Sequence, residues 1–414
     1  MTAAEEQPLL GPNPETLEDG IQHTGVILDF ETGDVENPRE WPVAYKWSMV
    51  SLLAFTAFTV TFTCISVVPV AGHIVDELSD HTASPSTSTL LVTIWELGEA
   101  AGPLFIAPLS EVYGRYPVMN VCNALFITAS LLAAFSESTA LFIGARALTG
   151  VAVASNVLNP AIIGDIFESD QRGSALSLIT LAPLVGGAIG PALGGSIAQT
   201  MGWRSILLIA AALAIACELT FLTCFRETYK MVILKRRIAH LQEDAGDGPP
   251  KDAGVDSKNK LCLDRIYIYL RDRNPERKGN PEYRLPLTII GGLTLPLAVT
   301  AYGWIAHFRL PVALLLVSVG LMGLTLLVAM VPLSAYIVDA CGPYSASALT
   351  GVIVSRCLMG TFLPLTAGPL AETFGYGWAF TFLGLVSLVL APVPMLVFRY
   401  GEKWRQGSEF TKDS

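Results

Sequence analysis

Ten long apolar segments constrain the fold of this chain more than any other feature of its sequence. A helix needs about 20 mostly apolar residues to cross about 30 Å of hydrocarbon. The segments are continuous and lack the period-two alternation of a barrel strand. They lie at 46–71, 88–109, 118–135, 138–163, 174–199, 205–225, 285–305, 311–337, 345–370 and 378–398. We therefore predict an all-α polytopic membrane protein and number these spans 1 to 10.

Composition agrees with a membrane protein and argues against an enzyme. Only 15% of the residues are charged, against about a quarter in soluble proteins. The sequence contains no Walker A loop, no HExxH, no GxSxG and no metal-ligand cluster. The seven cysteines form no CxxC pair. We expect no enzymatic activity, no cofactor, no metal and no nucleic-acid partner, and an ion gradient as the energy source.

The positions of Lys and Arg predict the orientation. With a cytosolic N-terminus, Arg204 and Arg309 lie outside, Arg146 and Arg356 lie within spans, and the other basic residues are cytosolic. No signal peptide is recognised, so span 1 itself should target the chain. We expect both termini in the cytosol and a location in the plasma membrane, or alternatively the vacuolar membrane. The predicted organisation is a disordered acidic tail (1–45), a six-helix bundle (46–225), a central loop (226–284), a four-helix bundle (285–400) and a second tail (401–414).

A repeat relates spans 4–6 to spans 8–10. Residues 164–176 (GDIFESDQRGSAL) and 338–349 (VDACGPYSASAL) each place an Asp at the end of a span, then a short turn and a small-residue start. Farther along, the pair Gly190-Pro191 precedes Gly202-Trp203 as Gly368-Pro369 precedes Gly377-Trp378. Parallel repeats of this kind build one large transporter fold. The alternative is chance similarity between spans rich in Gly, Ala and Pro.

The repeat predicts that two spans are missing. Four spans precede the turn after Asp165, but only two separate the central loop from Asp339. If the halves are equivalent, the second half lacks its first two spans, with the junction near 256–262. Losing an even number of spans leaves the orientation of every later helix unchanged. The segment 261–270 is too short and too charged to span.

Four charged residues within spans are candidates for a transport site. A charge at the depth of Arg146 costs about 2.5–3.5 kcal/mol, so it should face a polar cavity or a partner. Glu96 and Glu99 share one helical face, and since close carboxylates repel, one of them can carry a proton. They are natural partners for Arg146 or for a cationic substrate. Arg356 is suited to binding anionic substrate groups or to tying helices together.

A second group of residues is predicted to form a gate at the cytosolic turns. Gly114 permits a tight turn between Glu111 and Arg115, and Arg115 can reach an acid or a helix end on the other half. Asp165 and Arg172 are expected to join the same network. The alternative is that these are solvated loop charges.

Several motifs resemble the fungal drug:proton antiporters of the major facilitator superfamily, of the twelve-span type. The family's loop motif G-x-L-a-D-r-x-G-r-k corresponds to 107–116, where the acid Glu111, Gly114 and Arg115 match. Arg146 is followed four residues later by Gly150, as in the family's fourth span. Ser177 replaces the first glycine of the family's antiporter pattern G-x8-G-x3-G-P-x2-G-G. The residues of span 5 that match this pattern are Gly186, Gly190, Pro191, Gly194 and Gly195.

The resemblance covers roughly 38–260 and 261–405 and carries functional expectations. It implies a major facilitator fold with ten spans instead of twelve. It also implies proton-coupled export of small amphipathic molecules, such as drugs, polyamines or secondary metabolites, across a lipid bilayer. Arg146 and Glu96 are the residues expected to couple protons. The family links the span 5 glycines to antiport, whereas close helix packing, which needs no transport direction, is the safer interpretation.

The missing spans suggest a functional cost. By symmetry they correspond to spans 1 and 2, and the first of these lines the cavity in the family. Such a chain is expected to transport poorly or not at all unless it dimerises. The rival interpretations are a nutrient importer or uniporter, and a truncated product that transports nothing.

Overall fold

The computed structural model describes residues 30, 34, 36–78, 85–243 and 280–406. Within them, ten helical segments are long and apolar enough to cross a membrane, and each overlaps its predicted span. They are Val43–Leu78, Leu90–Tyr113, Arg115–Ala134, Thr139–Ile166, Ser169–Met201, Trp203–Cys224, Pro281–His307, Val312–Cys341, Ser345–Leu363 and Leu370–Gln406. The ten-span all-α prediction is therefore confirmed. Most of the acidic tail, the junction near 256–262 and the segment 261–270 lie outside the described residues.

Helical geometry is interrupted inside some spans and continuous across others. Span 1 consists of the helices Val43–Ile65 and Ala71–Leu78. Span 4 likewise consists of Thr139–Val151 and Ser155–Ile166. The helix of span 2 begins at Pro85, and an additional helix, Lys230–Glu243, follows span 6. Spans 9 and 10 are formed by Ser345–Leu390, which is kinked at Gly375, and by Val393–Gln406.

Two glycines with matching conformation mark equivalent reversals of the chain. Gly202 (φ 83°, ψ 158°) joins span 5 to span 6, and Gly375 (φ 77°, ψ 160°) stands between span 9 and span 10. Positive φ at these values is accessible chiefly to glycine. The two lie at nearly equal distances after Asp165 and Asp339. Gly375, not the expected Gly377, is therefore the counterpart of Gly202.

Helix packing supports the repeat in this corrected register. In the first half, span 3 packs against spans 4 and 6; in the second, span 7 packs against span 8 and the span 9–10 helix. The rings of Trp304 in span 7 and Trp378 in span 10 lie 5.6 Å apart. Spans 7–10 thus take the places that spans 3–6 take in the first half. Since span 1 packs along span 5 and span 2 along span 4, the pair without a counterpart is spans 1 and 2.

The two halves meet along span 2 with span 9 and span 5 with span 8. The buried core lies mainly in the first half. In the most apolar stretch of span 1, 67% of the residues are buried in protein, against 17% in span 8 and 11% in span 10. The second half is therefore thin and presents most of its surface to the surrounding medium.

Candidate transport site

An ion pair between a buried carboxylate and a half-exposed guanidinium joins the halves near the middle of the spans. Glu99 of span 2 is 1% exposed and accepts a hydrogen bond from Nη2 of Arg356 in span 9. Asn156, where span 4 resumes after its break, donates its side-chain amide to the same carboxylate oxygen. A buried carboxylate needs such partners, because losing its hydration is costly. The structure thus brings together two predicted residues, Glu99 and Arg356, and adds Asn156.

Glycines allow the close helix approach that positions this pair. A Cβ on Gly98 would lie 2.4 Å from the Ala147 carbonyl oxygen, and one on Gly150 would lie 2.2 Å from the Trp95 carbonyl oxygen. Spans 2 and 4 therefore touch backbone to backbone one residue away from Glu99. This contact gives Gly150, matched by the family motif, a concrete packing role.

Glu96 lies one helical turn before Glu99 and points towards span 9. A Cβ on Gly360 would lie 3.1 Å from its Oε2. Within the described part of the chain, no hydrogen bond or ion pair to the Glu96 carboxylate is found. Ligand atoms of Glu96, Glu99 and Cys357 lie within 4.8 Å of one another. Because Arg356 already binds Glu99, its positive charge opposes a metal ion there.

Arg146 does not pair with the glutamates, contrary to expectation. It is 1% exposed, and its Nη1 and Nη2 donate to the carbonyl oxygens of Thr63 (3.2 Å) and Cys64 (3.1 Å). These carbonyls close the last turn of helix Val43–Ile65, where no backbone donor follows and the helix dipole is negative. The break in span 1 thus supplies the partner that a buried guanidinium requires.

Asp339 is the centre of a cross-half network at one end of the bundle. This end, here named the charged end, comprises residues 110–116, 164–172, 226–230, 282–284 and 339–347. Asp339 of span 8 accepts hydrogen bonds from Arg172 at the start of span 5 and from Arg284 at the start of span 7. Ser169 donates to its Oδ1 at 3.3 Å. The Asp339 side chain is 5% exposed, so these bonds close the space between the halves.

Glu111 makes a second connection between the halves at the charged end. Its carboxylate accepts hydrogen bonds from the backbone N–H of Ser347 (3.1 Å) and from the Ser347 hydroxyl (2.9 Å). Ser347 lies in the first turn of span 9, where free N–H groups attract an anion. Glu111 therefore caps a helix of the opposite half.

Arg115 was expected to reach the other half, and this expectation is wrong. Its Nε lies 3.3 Å from Oδ2 of Asp165, in the same half, and its Nη1 donates to Ser110 at 2.6 Å. The ring of Tyr229 lies 4.6 Å from the guanidinium carbon, a cation–π contact. Burial raises the pKa of Tyr229 to about 12, so its phenol stays neutral. Arg115 therefore stabilises its own half while Glu111 and Arg172 reach across.

The tight turn before Arg115 depends on a residue that the sequence analysis missed. Gly114 has a φ of 103°, and a Cβ there would lie 2.2 Å from the Glu227 carboxylate. Glu227 accepts hydrogen bonds from the backbone N–H groups of Arg115 (2.9 Å) and Tyr116 (3.2 Å). It thus caps span 3 from the segment after span 6. No local sequence signal connects Glu227 to a turn so distant in the chain.

The glycine motif of span 5 lies against span 1. A Cβ on Gly186 would lie 3.0 Å from the Phe58 carbonyl oxygen. A Cβ on Gly190 would lie 3.5 Å from the Ser66 nitrogen, and one on Gly194 would lie 2.1 Å from the Ser66 carbonyl oxygen. Gly195 faces open space, and Pro191 lies inside the helix. Three of the motif residues thus serve close packing of two helices.

The fold and this site define a polytopic helical membrane protein whose two halves meet around a buried polar centre, the architecture of a secondary transporter. Residues 50–249 match the family model of the Major Facilitator Superfamily. This match and the curated relatives described next support assigning the chain to the major facilitator superfamily, a family of membrane transport proteins rather than enzymes.

Curated relatives match nearly the whole chain. Efflux pump radE of Floropilus chiversii is 28% identical, with 93% of this chain and 86% of that protein covered. MFS-type transporter penM of Penicillium rubens is 27% identical over 495 residues, with 99% of this chain and 97% of that protein covered. Since this chain has only 414 residues, the aligned region of penM contains residues that this chain lacks.

Solved structures share the fold. The proton:xylose symporter XylE matches with a TM-score of 0.65 at 14% identity, covering 87% of this chain and 96% of that chain. The human organic anion transporter MFSD10 matches with a TM-score of 0.58 at 19% identity, covering 86% of this chain and 100% of that chain. At these identities the likeness concerns the fold alone.

Proposed function

We propose that the chain exports small amphipathic molecules in exchange for protons, as a member of the fungal drug:proton antiporter branch. The proposal is supported by the relatives, of which one is named an efflux pump and another a trichosetin biosynthesis cluster transporter. It is also supported by the span 5 glycine pattern at Gly186, Gly190, Pro191, Gly194 and Gly195. The name of the second relative favours secondary metabolites among the expected substrate classes.

The observation that carries the proposal is the closure at Asp339. Arg172 of the first half and Asp339 of the second bond at the charged end, while a cavity between the halves lies deeper among the spans. Alternating access requires such a state, in which one end is shut and a central site lies beyond the closure. The positions of Lys and Arg favour a cytosolic charged end.

Glu96 is the residue that we propose to carry the proton. Its carboxylate has no partner in the described chain, and it lies beside the Glu99–Arg356 pair that crosses the halves. A proton there would change the charge at the point where spans 2 and 9 touch. Arg146, held by two backbone carbonyls, would couple through the break in span 1 rather than by direct exchange with Glu96.

Flux in proteoliposomes tests the proposal. The purified chain is reconstituted with the charged end outward and an acidic lumen. Naphthalene-2-carboxylate, its carboxamide and its carboxamidine are offered as fluorescent probes, with protein-free vesicles as the control. We expect at least one probe to accumulate in the lumen and a protonophore to abolish the excess. Accumulation of none above the control would contradict transport, and net movement out of the lumen would favour the importer alternative.

A second candidate is a chain whose transport is impaired by the two missing spans. The observations favouring it are the thin second half and an alignment with penM that is longer than this chain. By the repeat, the missing pair would cover span 5 and the span 9–10 helix. A chimaera carrying the corresponding penM residues after the central loop should transport faster than this chain. Equal rates would refute the impairment.

A further inference from the structure

The cavity between the halves has one charged residue in its wall. It has a volume of about 210 Å³ and is lined by spans 1, 4, 5, 8 and 9. Apolar side chains such as Ile179, Leu327 and Met330 form much of the surface, with neutral polar groups between them. Among the described residues that line it, Arg356 alone carries a formal charge. Neither Glu96 nor Glu99 is among the lining residues.

Arg356 retains hydrogen-bonding capacity towards this cavity. Its side chain is 49% exposed although it lies within a span. Only Nη2 binds Glu99, and within the described chain Nη1 and Nε have no hydrogen-bond partner. A guanidinium carries five N–H donors in a fixed plane, so Arg356 can hold Glu99 and a second anion together.

Two buried polar atoms in the same wall also lack partners. The hydroxyl of Ser155 and the Oδ1 of Asn159 belong to side chains that are 3% and 0% exposed, and neither is bonded by any residue in the described ranges. The Asn159 amide nitrogen is occupied, since it donates to the Leu53 carbonyl oxygen at 3.1 Å. Leaving buried polar atoms unpaired is energetically unfavourable.

We infer that the cavity binds a small amphipathic anion, with an acidic group such as a carboxylate on Arg356 and its apolar body against spans 5 and 8. The inference rests on the proposed transport function and narrows its substrate class. An amine or a polyamine would place positive charge beside the guanidinium with no carboxylate in the wall. Ser155 and Asn159 add neutral polar side chains to the same wall.

Equilibrium binding of three probes of equal shape tests the charge preference. Naphthalene-2-carboxylate, the carboxamide and the carboxamidine are titrated into the full-length chain in detergent micelles, with binding followed by naphthalene fluorescence. We expect the carboxylate to bind at least about tenfold more tightly than the carboxamide, because a charge-assisted hydrogen bond is roughly twice as strong as a neutral one. The carboxamidine should bind most weakly.

Substitutions test whether Arg356 causes the preference for the carboxylate probe. Arg356→Gln should reduce the carboxylate-to-carboxamide affinity ratio to about one, and Arg356→Lys should restore part of it. Arg204→Gln, which removes a guanidinium at the end of the bundle away from the charged end, should leave the affinity ratio unchanged. Elution as a single symmetric peak in gel filtration checks that each variant is folded.

The outcomes separate the two proposals. An absent or weaker carboxylate preference in the unmodified chain, or a ratio unaffected by Arg356→Gln, would overturn the anion site even where flux is observed. Preferential carboxylate binding without flux in proteoliposomes would retain the site and contradict transport.

Discussion

Glu99 shows how a single buried acid organises the centre of the molecule. It accepts hydrogen bonds from Asn156 of its own half and from Arg356 of the other. The low dielectric around it makes each of these bonds stronger than it would be in water, and makes a missing partner expensive. The residue therefore determines both the local position of span 9 and the charge that the cavity presents.

Removing one member of the Glu99–Arg356 pair should lower the free energy of unfolding by more than the intact pair contributes to it. We expect Arg356→Ala to destabilise the folded chain by about 3 kcal/mol, because the buried Glu99 keeps a negative charge without its ion-pair partner. The double variant with Glu99→Ala should lose less than the sum of the single losses, by at least about 1 kcal/mol. Denaturant unfolding in detergent measures all three. Glu96→Gln is the control and should change stability little, since the described chain provides no partner for that carboxylate. Additive losses would contradict the pairing.

At the scale of elements, close approach of helices depends on individual glycines. Gly194 and Gly195 are neighbours in span 5, yet only Gly194 lies against span 1. A helix turns about 100° per residue, so adjacent positions face different surroundings. The family motif contains both glycines, and the structure explains one of them by packing.

This difference provides a matched pair of variants. Gly194→Ala should destabilise the chain by about 1–3 kcal/mol, because its Cβ would lie 2.1 Å from the Ser66 carbonyl oxygen and spans 1 and 5 would have to separate. Gly195→Ala should not destabilise the chain and should stabilise it by up to about 1 kcal/mol, because its Cβ enters open space and Ala is the better helix former. Thermal unfolding of both variants in the same detergent is the measurement. Equal effects would contradict the packing explanation.

The sequence predicts elements well here because lipid imposes a length and a composition on each span. All ten spans were predictable for this reason. Partners were harder to predict, because they are distant in the chain. Arg146 binds carbonyls exposed by a helix break, Arg115 binds Asp165 within its own half, and Glu227 caps span 3 across more than a hundred residues. Such pairings depend on three-dimensional packing that hydropathy and motif spacing do not encode.

At the scale of the whole molecule, polar contacts around Asp339 and at Glu111 join the halves at the charged end of the described chain. Asp339 binds Arg172 and Arg284, and Glu111 caps span 9 at Ser347. Apolar residues of the two halves also share one buried cluster, which includes Ile162 and Ala335, so opening the charged end must separate apolar surface as well as break these bonds.

Weakening the Asp339 junction should open the charged end. Asp339→Asn leaves the two arginines, which are 5% and 6% exposed, without a full countercharge. A cysteine at Thr350, a buried position between spans 2 and 9, reports the opening by its rate of reaction with a water-soluble maleimide. A loss of about 1.4 kcal/mol in closing energy would raise the rate about tenfold. The reaction rate of the native cysteines, measured in the protein with Thr350 intact, is subtracted. Glu402→Gln, which changes an exposed acid, is the control and should leave the rate of maleimide reaction unchanged. An unchanged rate in Asp339→Asn would contradict a role of Asp339 in keeping the halves closed.

The most direct test of alternating access is to lock this closure. Glu111 and Ser347, whose side-chain oxygens lie 2.9 Å apart, are both replaced by cysteine and joined by a short bis-methanethiosulfonate reagent. The two variants with only one of these replacements are the controls. We predict rapid cross-linking in the resting protein, loss of proton-dependent probe flux in proteoliposomes, and recovery of flux when the link is reduced. Undiminished flux through the fully cross-linked protein would contradict the account.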